Sequence, residues 1–232
     1  MNRNRYKQNS AGAVIVAAGE SKRMGGQDKL FTRIGGEPLL ARVIDAFNGC
    51  TAIEQIVVVL REERMGEARR LIVSHDWSKV IDCCIGGRRR QDSVMAGLER
   101  LGKYEWVIIH DGARPLVTTD LIDRGLEEAE ETGAAVAAVP VTDTIKVAGE
   151  DRIVQHTPSR ESLWAVQTPQ VFRSDIIREA YRRAKEDVTD DASLVERAGH
   201  EVKLYWGSYD NIKVTTPDDL ALAEILLRKR QG

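Results

Sequence analysis

A mostly parallel β-sheet with helices on both faces is the fold this chain predicts, and three observations predict it. Short apolar runs recur at residues 13–17, 56–60, 80–85, 106–109 and 134–139, rich in Val, Ile and Ala. Between them lie helical patterns rather than tight turns, the rhythm of strand–helix–strand units whose parallel strands are buried on both faces. The 232 residues, 42% hydrophobic and 30% charged, suit one large α/β domain covering residues 1–232, with apolar material enough for a full core.

The first run ends at Gly19 in a loop carrying Ser21, Lys22, Arg23, Gly25, Gly26 and Lys29. Small residues let backbone N–H groups approach a phosphate and fixed cations neutralise it, so the loop reads as an anion site. An ordinary polar loop is the competing reading. It matches neither the P-loop nor the GxGxxG pattern. Pro38 opens a helix to about Asn48, with Leu39, Leu40, Val43, Ile44 and Phe47 on one face. After the strand at 56–60 comes a charged surface helix, residues 62–73. The weaker strand at 80–85 ends at Gly86-Gly87. It is followed by Arg88, Arg89, Arg90, Gln91, Asp92 and Ser93 and then a helical pattern, a second place where unsatisfied N–H groups suit an anion or a polar base. The three arginines also read as a solvated run, and Ser93 as a cap.

The strand at 106–109 runs into His110, Asp111, Gly112, Ala113, Arg114 and Pro115. An Asp at the carboxyl end of a central strand lies where open α/β sheets bind ligands. Asp111 could hold a metal ion or a ribose hydroxyl, or cap the next turn. His110 reads as a packed, hydrogen-bonded histidine. A helix at 119–132 and the strand at 134–139 follow, and then the rhythm breaks. Residues 144–147 and 153–156 read as a hairpin. With the segment to Gln170 it forms an inserted β-arm, 141–170, which either packs against another subunit or covers its own core. Helices return at 175–186 and from Asp190 to about Ala198. A strand at 202–205 follows, then a last helix opened by Pro217.

A net charge of −2 argues against a nucleic-acid partner, and no apolar stretch approaches a membrane span. Cys50, Cys83 and Cys84 have no zinc spacing, and their odd number without a secretory signal suggests reduced thiols and a cytoplasmic protein.

The junctions add up to a set. AAGESKRM with Lys29, GGRRRQDSVMAGL, HDGARP, PVTDTIK, HTPSRESLW, QTPQVF, TDDASLVE and DNIKVTTPDDLALAE, in this order, resemble the 2-C-methyl-D-erythritol 4-phosphate cytidylyltransferase family over nearly the whole chain. The resemblance implies a glycosyltransferase-A-like nucleotidyltransferase fold and a homodimer that exchanges its β-arms. It also implies CTP as substrate with a divalent cation, usually Mg²⁺, and 4-diphosphocytidyl-2-C-methyl-D-erythritol and pyrophosphate as products.

By position, the resemblance places Ala17, Ala18 and Gly19 along the nucleotide, with Gly87 and Ser93 holding cytosine and ribose. Asp111 lies between ribose, metal and acceptor. Arg23 and Lys29 stabilise the transition state. Lys213 and Arg160 position the acceptor, Arg160 and Thr144 coming from the partner's arm, and Arg114 and Thr168 line the same pocket. Val16 stands where many members have proline, and Gly112 where alanine is usual. The Arg23-to-Lys29 loop is short, and the arginines after Gly87 stand where some members have acidic residues. A cytidylyltransferase for another polyol phosphate, such as ribitol 5-phosphate, shares most of these features. A non-catalytic nucleotide sensor on the same fold is a more distant alternative.

Overall fold

A computed structural model of the chain describes residues 10–19, 29–184 and 186–231. In chain order the first half runs β1 (Ala11–Val16), β2 (Arg33–Ile34), β3 (Glu37–Pro38), α1 (Leu39–Gly49), β4 (Ile53–Leu60), α2 (Met65–His75), β5 (Val80–Ile85), α3 (Arg90–Arg100) and β6 (Trp106–Asp111). The second half runs α4 (Thr119–Thr132), β7 (Ala134–Pro140), β8 (Val147–Ala148), β9 (Val154–His156), β10 (Trp164–Arg173), α5 (Ser174–Arg183), α6 (Asp191–Arg197), β11 (Lys203–Trp206) and α7 (Pro217–Gln231).

Seven strands form one sheet in the order β11-β7-β10-β6-β1-β4-β5. Every pairing is parallel except the two made by β10, which lies antiparallel between β6 and β7. The continuous apolar runs follow from burial on both faces. In β1, Ala13 and Ile15 enter one core with Phe47 and Ile44 of α1, while Val14 enters the other with Val94 and Leu98 of α3. β4 divides in the same way, Val58 and Leu60 against Val57 and Val59. Period-2 alternation therefore sends apolar side chains in both directions, and no polar face is left to show in the sequence.

The chain leaves β1 toward β4 and β5 on one side and later returns to place β6 on the other. The crevice between the carboxyl ends of β1 and β6 is thus a topological switch point, where ligands of such sheets bind.

The expected helix at 119–132 is found with those bounds, capped by Thr118, whose hydroxyl accepts from the Leu121 N–H at 3.2 Å. The hairpin is shorter than expected, β8 and β9 pairing only over Val147–Ala148 and Val154–His156, with residues 144–146 outside the ladder. Of residues 141–170, those up to Leu163 leave the sheet, while Trp164 onward returns to it as β10. The apolar pattern around 163–172 did not reveal this, because Thr168-Pro169 interrupts it where the register with β7 shifts between Val166 and Gln170.

Candidate active site

Four segments converge at the carboxyl ends of β1 and β6. The first is Ala17-Ala18-Gly19 after β1. The second is the β5–α3 junction, brought against it by Gly86. A Cβ on Gly86 would stand 2.4 Å from the Ala18 Cβ and 2.7 Å from Ser93 Oγ, so only glycine lets the two junctions touch. The third is the end of β6. The fourth is residues 211–214, stitched down by hydrogen bonds: Val214 N–H donates to the Ala113 carbonyl (2.8 Å), Arg114 Nη1 to the Asn211 carbonyl (2.8 Å), and buried Asn211 Nδ2 to the Thr168 carbonyl (2.8 Å). Immediately after, Asp219 accepts from the N–H groups of Thr215 and Thr216 at 2.7 and 2.8 Å, so α7 begins at a fixed place and Lys213 is held over Asp111.

Two clefts open here. One, of about 360 Å³, is lined by Ala17, Ala18, Gly19, Lys29, Gly87, Ser93 and the Arg88–Arg90 run. The other, of about 610 Å³, is lined by Arg114, Gln167, Thr168, Gln170, Thr189 and Asp190, with an apolar wall of Val136, Val166 and Leu204. Arg90, Asp111 and Lys213 line both.

Asp111 is the centre of charge. Its Oδ2 lies 2.9 Å from Lys213 Nζ and 3.5 Å from Arg114 Nε, and its Oδ1 lies 3.6 Å from Arg90 Nε. Burial works to raise its pKa, but Lys213, Arg90 and Arg114 outweigh it and hold the carboxyl well below the usual carboxylate range. Arg114, only 11% exposed, is pushed down by burial, which its pairing with Asp111 offsets in part. The backbone of Asp111 is fixed as well. Its N–H donates to Thr168 Oγ1 (3.0 Å), whose hydroxyl lies 3.0 Å from His110 Nδ1, while His110 Nε2 lies 3.3 Å from the Arg114 carbonyl. Only one proton arrangement satisfies this chain with a neutral ring: Nε2–H donates to the carbonyl and Nδ1 accepts from Thr168.

Burial pushes His110 down to about 3, against which the Asp111 charge works only in part. The sign follows directly. Below about pH 6.5 the unfolded chain takes up a proton that folded His110 refuses, so this contribution to stability falls with pH and levels near 3. His110 ring resonances are therefore expected not to titrate between pH 5 and 8 in an NMR titration; a midpoint near 6.5 would contradict the buried neutral ring.

Most sequence-predicted residues meet here. Ala17, Ala18, Gly19, Lys29, Gly87 and Ser93 line the first cleft, Arg114 and Thr168 the second, and Asp111 and Lys213 both. Lys29 Nζ donates to the Val214 carbonyl at 2.8 Å, tying the end of its loop to the Lys213 segment. Arg23 lies outside the described residues. Thr144 and Arg160 are exposed on the arm and line neither cleft of their own chain; Arg160 Nη1 donates to the Thr142 carbonyl at 2.9 Å. Sequence reasoning did not select Gln170 or Asp191. Gln170 Nε2 donates to Asp190 Oδ2 (2.9 Å) and its Oε1 accepts from the Ala192 N–H (3.2 Å), which pins α6 to β10. The three consecutive arginines, alike in the sequence, separate. Arg89 pairs on the surface with Asp92 and Asp187, Arg88 is exposed at the rim of the first cleft, and Arg90 turns inward to Asp191.

A family model described as IspD, 2-C-methyl-D-erythritol 4-phosphate cytidylyltransferase, matches residues 11–229. Enzymes of that name from Dehalococcoides mccartyi and Bacillus licheniformis are 51% and 45% identical, over 97% and 92% of this chain and 99% and 94% of theirs. Among solved structures, the 4-diphosphocytidyl-2C-methyl-D-erythritol synthase of Anaerococcus prevotii superposes with a TM-score of 0.85 at 28% identity, covering 94% of this chain and 96% of that one. The 2-C-methyl-D-erythritol 4-phosphate cytidylyltransferase of Thermus thermophilus superposes at 0.75 and 34% identity, covering 94% and 99%.

Proposed function

Because the chain belongs to the 2-C-methyl-D-erythritol 4-phosphate cytidylyltransferase family, we propose that its two clefts hold the two substrates of that reaction and that transfer occurs where they meet. The enzyme is a CTP-dependent nucleotidyltransferase that joins CTP and 2-C-methyl-D-erythritol 4-phosphate to give 4-diphosphocytidyl-2-C-methyl-D-erythritol and pyrophosphate. The observation that carries the site reading is the sharing of Arg90, Asp111 and Lys213 by both clefts. In this reading Ala17, Ala18, Gly19, Gly87 and Ser93 hold the nucleotide. Arg114 and Thr168 line the acceptor cleft, and Lys213 stands between the two.

The chemistry is a contest of charges. A phosphomonoester oxygen attacks the α-phosphorus of CTP; one P–O bond forms, the bond to the β-phosphate breaks, and pyrophosphate carries away the electron pair. The acceptor's second pKa is about 6, so at neutral pH it is already a nucleophile and no general base is needed. This agrees with a neutral His110 turned away into hydrogen bonds. The residues must neutralise and align two anions. Lys29 and Arg23 act on the charge that develops at the α-phosphate, while Lys213 and Arg114 align the acceptor.

Among the described residues, no three His, Cys, Asp or Glu side chains gather as a metal cage. One carboxylate facing both clefts, with the triphosphate, is a donor set that suits Mg²⁺, which is commonly held by one or two carboxylates and substrate phosphates. Asp111 is that carboxylate. When bound, the cation would neutralise phosphate charge and stabilise the leaving pyrophosphate.

Arg160 and Thr144 are exposed on the arm and line neither cleft of their own chain, so in this reading a second copy brings its arm to the acceptor cleft. A homodimer supplying both residues is therefore part of the reading. Full turnover by a protein sedimenting as a monomer would refute it. No described helix is long and apolar enough to cross a membrane. Free Cys50, Cys83 and Cys84 fit a cytoplasmic setting.

The experiment is pyrophosphate release with Mg-CTP, comparing 2-C-methyl-D-erythritol 4-phosphate with ribitol 5-phosphate. Turnover with the first at least 10²-fold faster is expected, and preference for ribitol phosphate would overturn the acceptor assignment.

A further inference from the structure

Arg90 opens α3 and is one of the residues that line both clefts, with a side chain 25% exposed. Its Nη2 lies 2.7 Å from Asp191 Oδ2 and its Nε 3.6 Å from Asp111 Oδ1. Asp191 is 1% exposed at the start of α6, and its other oxygen accepts from the Tyr181 hydroxyl. A buried carboxylate is costly unless a cation and hydrogen bonds meet it, and here Tyr181 and Arg90 do so. Burial works against charge on Arg90, but Asp191 and Asp111 outweigh it, so the guanidinium stays charged. Of its neighbours, Arg89 pairs at the surface with Asp92 and Asp187, and Arg88 is exposed.

The two oxygens of Asp111 are held differently. Lys213 and Arg114 both approach Oδ2, whereas Arg90 is the cation on Oδ1 among the described residues. A carboxylate gripped only through Oδ2 can turn about its Cβ–Cγ bond. A planar, preorganised fork fixed at its far end by a buried acid limits that rotation.

We infer that Arg90 is a positioning residue, anchored by Asp191, that holds the Asp111 carboxylate in register at the seam between the two clefts. The inference rests on the reading of that seam as the place of transfer. Asp191 acts on Asp111 through Arg90, and Arg90 acts on the seam through Asp111.

The test is steady-state turnover with Mg-CTP and 2-C-methyl-D-erythritol 4-phosphate for Arg90→Gln, Arg90→Lys, Asp191→Asn, the double variant and Lys213→Ala. Folding of each is checked by circular dichroism. Arg90→Gln is expected to lower kcat on the order of 10²-fold, the usual effect of a small misplacement at a reacting centre, with KM for CTP within about threefold. Arg90→Lys keeps the charge but loses the planar fork, whose Nη2 meets Asp191 while its Nε faces Asp111, so it recovers kcat in part. The double variant is expected to be no slower than Arg90→Gln, because Asp191 meets Asp111 through Arg90. If Asp191→Asn does not fold, the split between kcat and KM in Arg90→Gln and the partial recovery in Arg90→Lys still decide. A kcat of Arg90→Gln within about threefold of the unsubstituted enzyme overturns the inference, as does a loss expressed only in KM for CTP or a double variant whose losses multiply. Lys213→Ala separates the two levels. If it keeps full activity, the reading of the seam fails; if it is crippled while Arg90→Gln is not, only the role of Arg90 fails.

Discussion

Asp111→Asn is expected to lower kcat/KM on the order of 10³-fold and to destabilise the fold by about 3 kcal/mol. Asparagine keeps the shape of the side chain and removes the charge on which Lys213, Arg90 and Arg114 converge. Lys213, 43% exposed, can swing into solvent. Arg114 cannot, since it is 11% exposed and tied to the Asn211 carbonyl, so its charge stays inside without a counter-ion. The stability difference also has a signed pH dependence. The folded pKa of Asp111 is depressed, so its contribution is fully present above the unfolded value of about 3.9 and is lost as pH falls toward the folded one. The gap in Tm between the natural protein and Asp111→Asn is therefore expected to be constant from pH 8 to about 5 and to narrow below about 4. A kcat within threefold of the natural protein's would remove Asp111 from the reaction, and a Tm gap that widens in acid would contradict its ionisation.

Lys29→Ala is expected to cost on the order of 10²–10³ in kcat while KM for CTP stays within about threefold. The reasoning is differential. A cation that meets the triphosphate equally before and during transfer would tighten binding, whereas one aimed at charge developing on the α-phosphate speeds the step. Lys29 is tied to the Val214 carbonyl beside Lys213, so its ammonium is held at the first cleft by the same segment that delivers Lys213. An unchanged kcat with raised KM would make Lys29 a nucleotide-binding residue. Because Lys29 also braces residues 211–214, the variant is expected to lose more than its charge, and Lys29→Arg, which keeps a donor, should recover part of the rate.

Both variants act on groups that local sequence marks, and local marking has a limit in this chain. The helix at 119–132 was bounded correctly because its ends carry local signals, Thr118 as cap and Gly133 with φ +81°. The candidate site was legible wherever a strand ends in glycines, an Asp or clustered cations: Gly19, Gly86-Gly87 and the end of β6. β10 was not. Its pattern is interrupted at Thr168-Pro169, and nothing local distinguishes an antiparallel strand inserted between two parallel ones from an excursion off the core.

What the sequence by itself determined is the alternation of buried strands with amphipathic helices and the junctions that face an anion. These are properties of a few consecutive residues, set by backbone freedom at glycine and by side-chain period. Only the tertiary structure decided that Arg90, rather than Arg88 or Arg89, faces Asp111 and Asp191, that Gln170 pins α6, and that His110 is neutral. Those outcomes depend on burial and on charges far apart in the chain. The partner that makes a buried arginine or carboxylate tolerable is chosen by how the sheet brings its carboxyl ends together, and no local pattern carries that information.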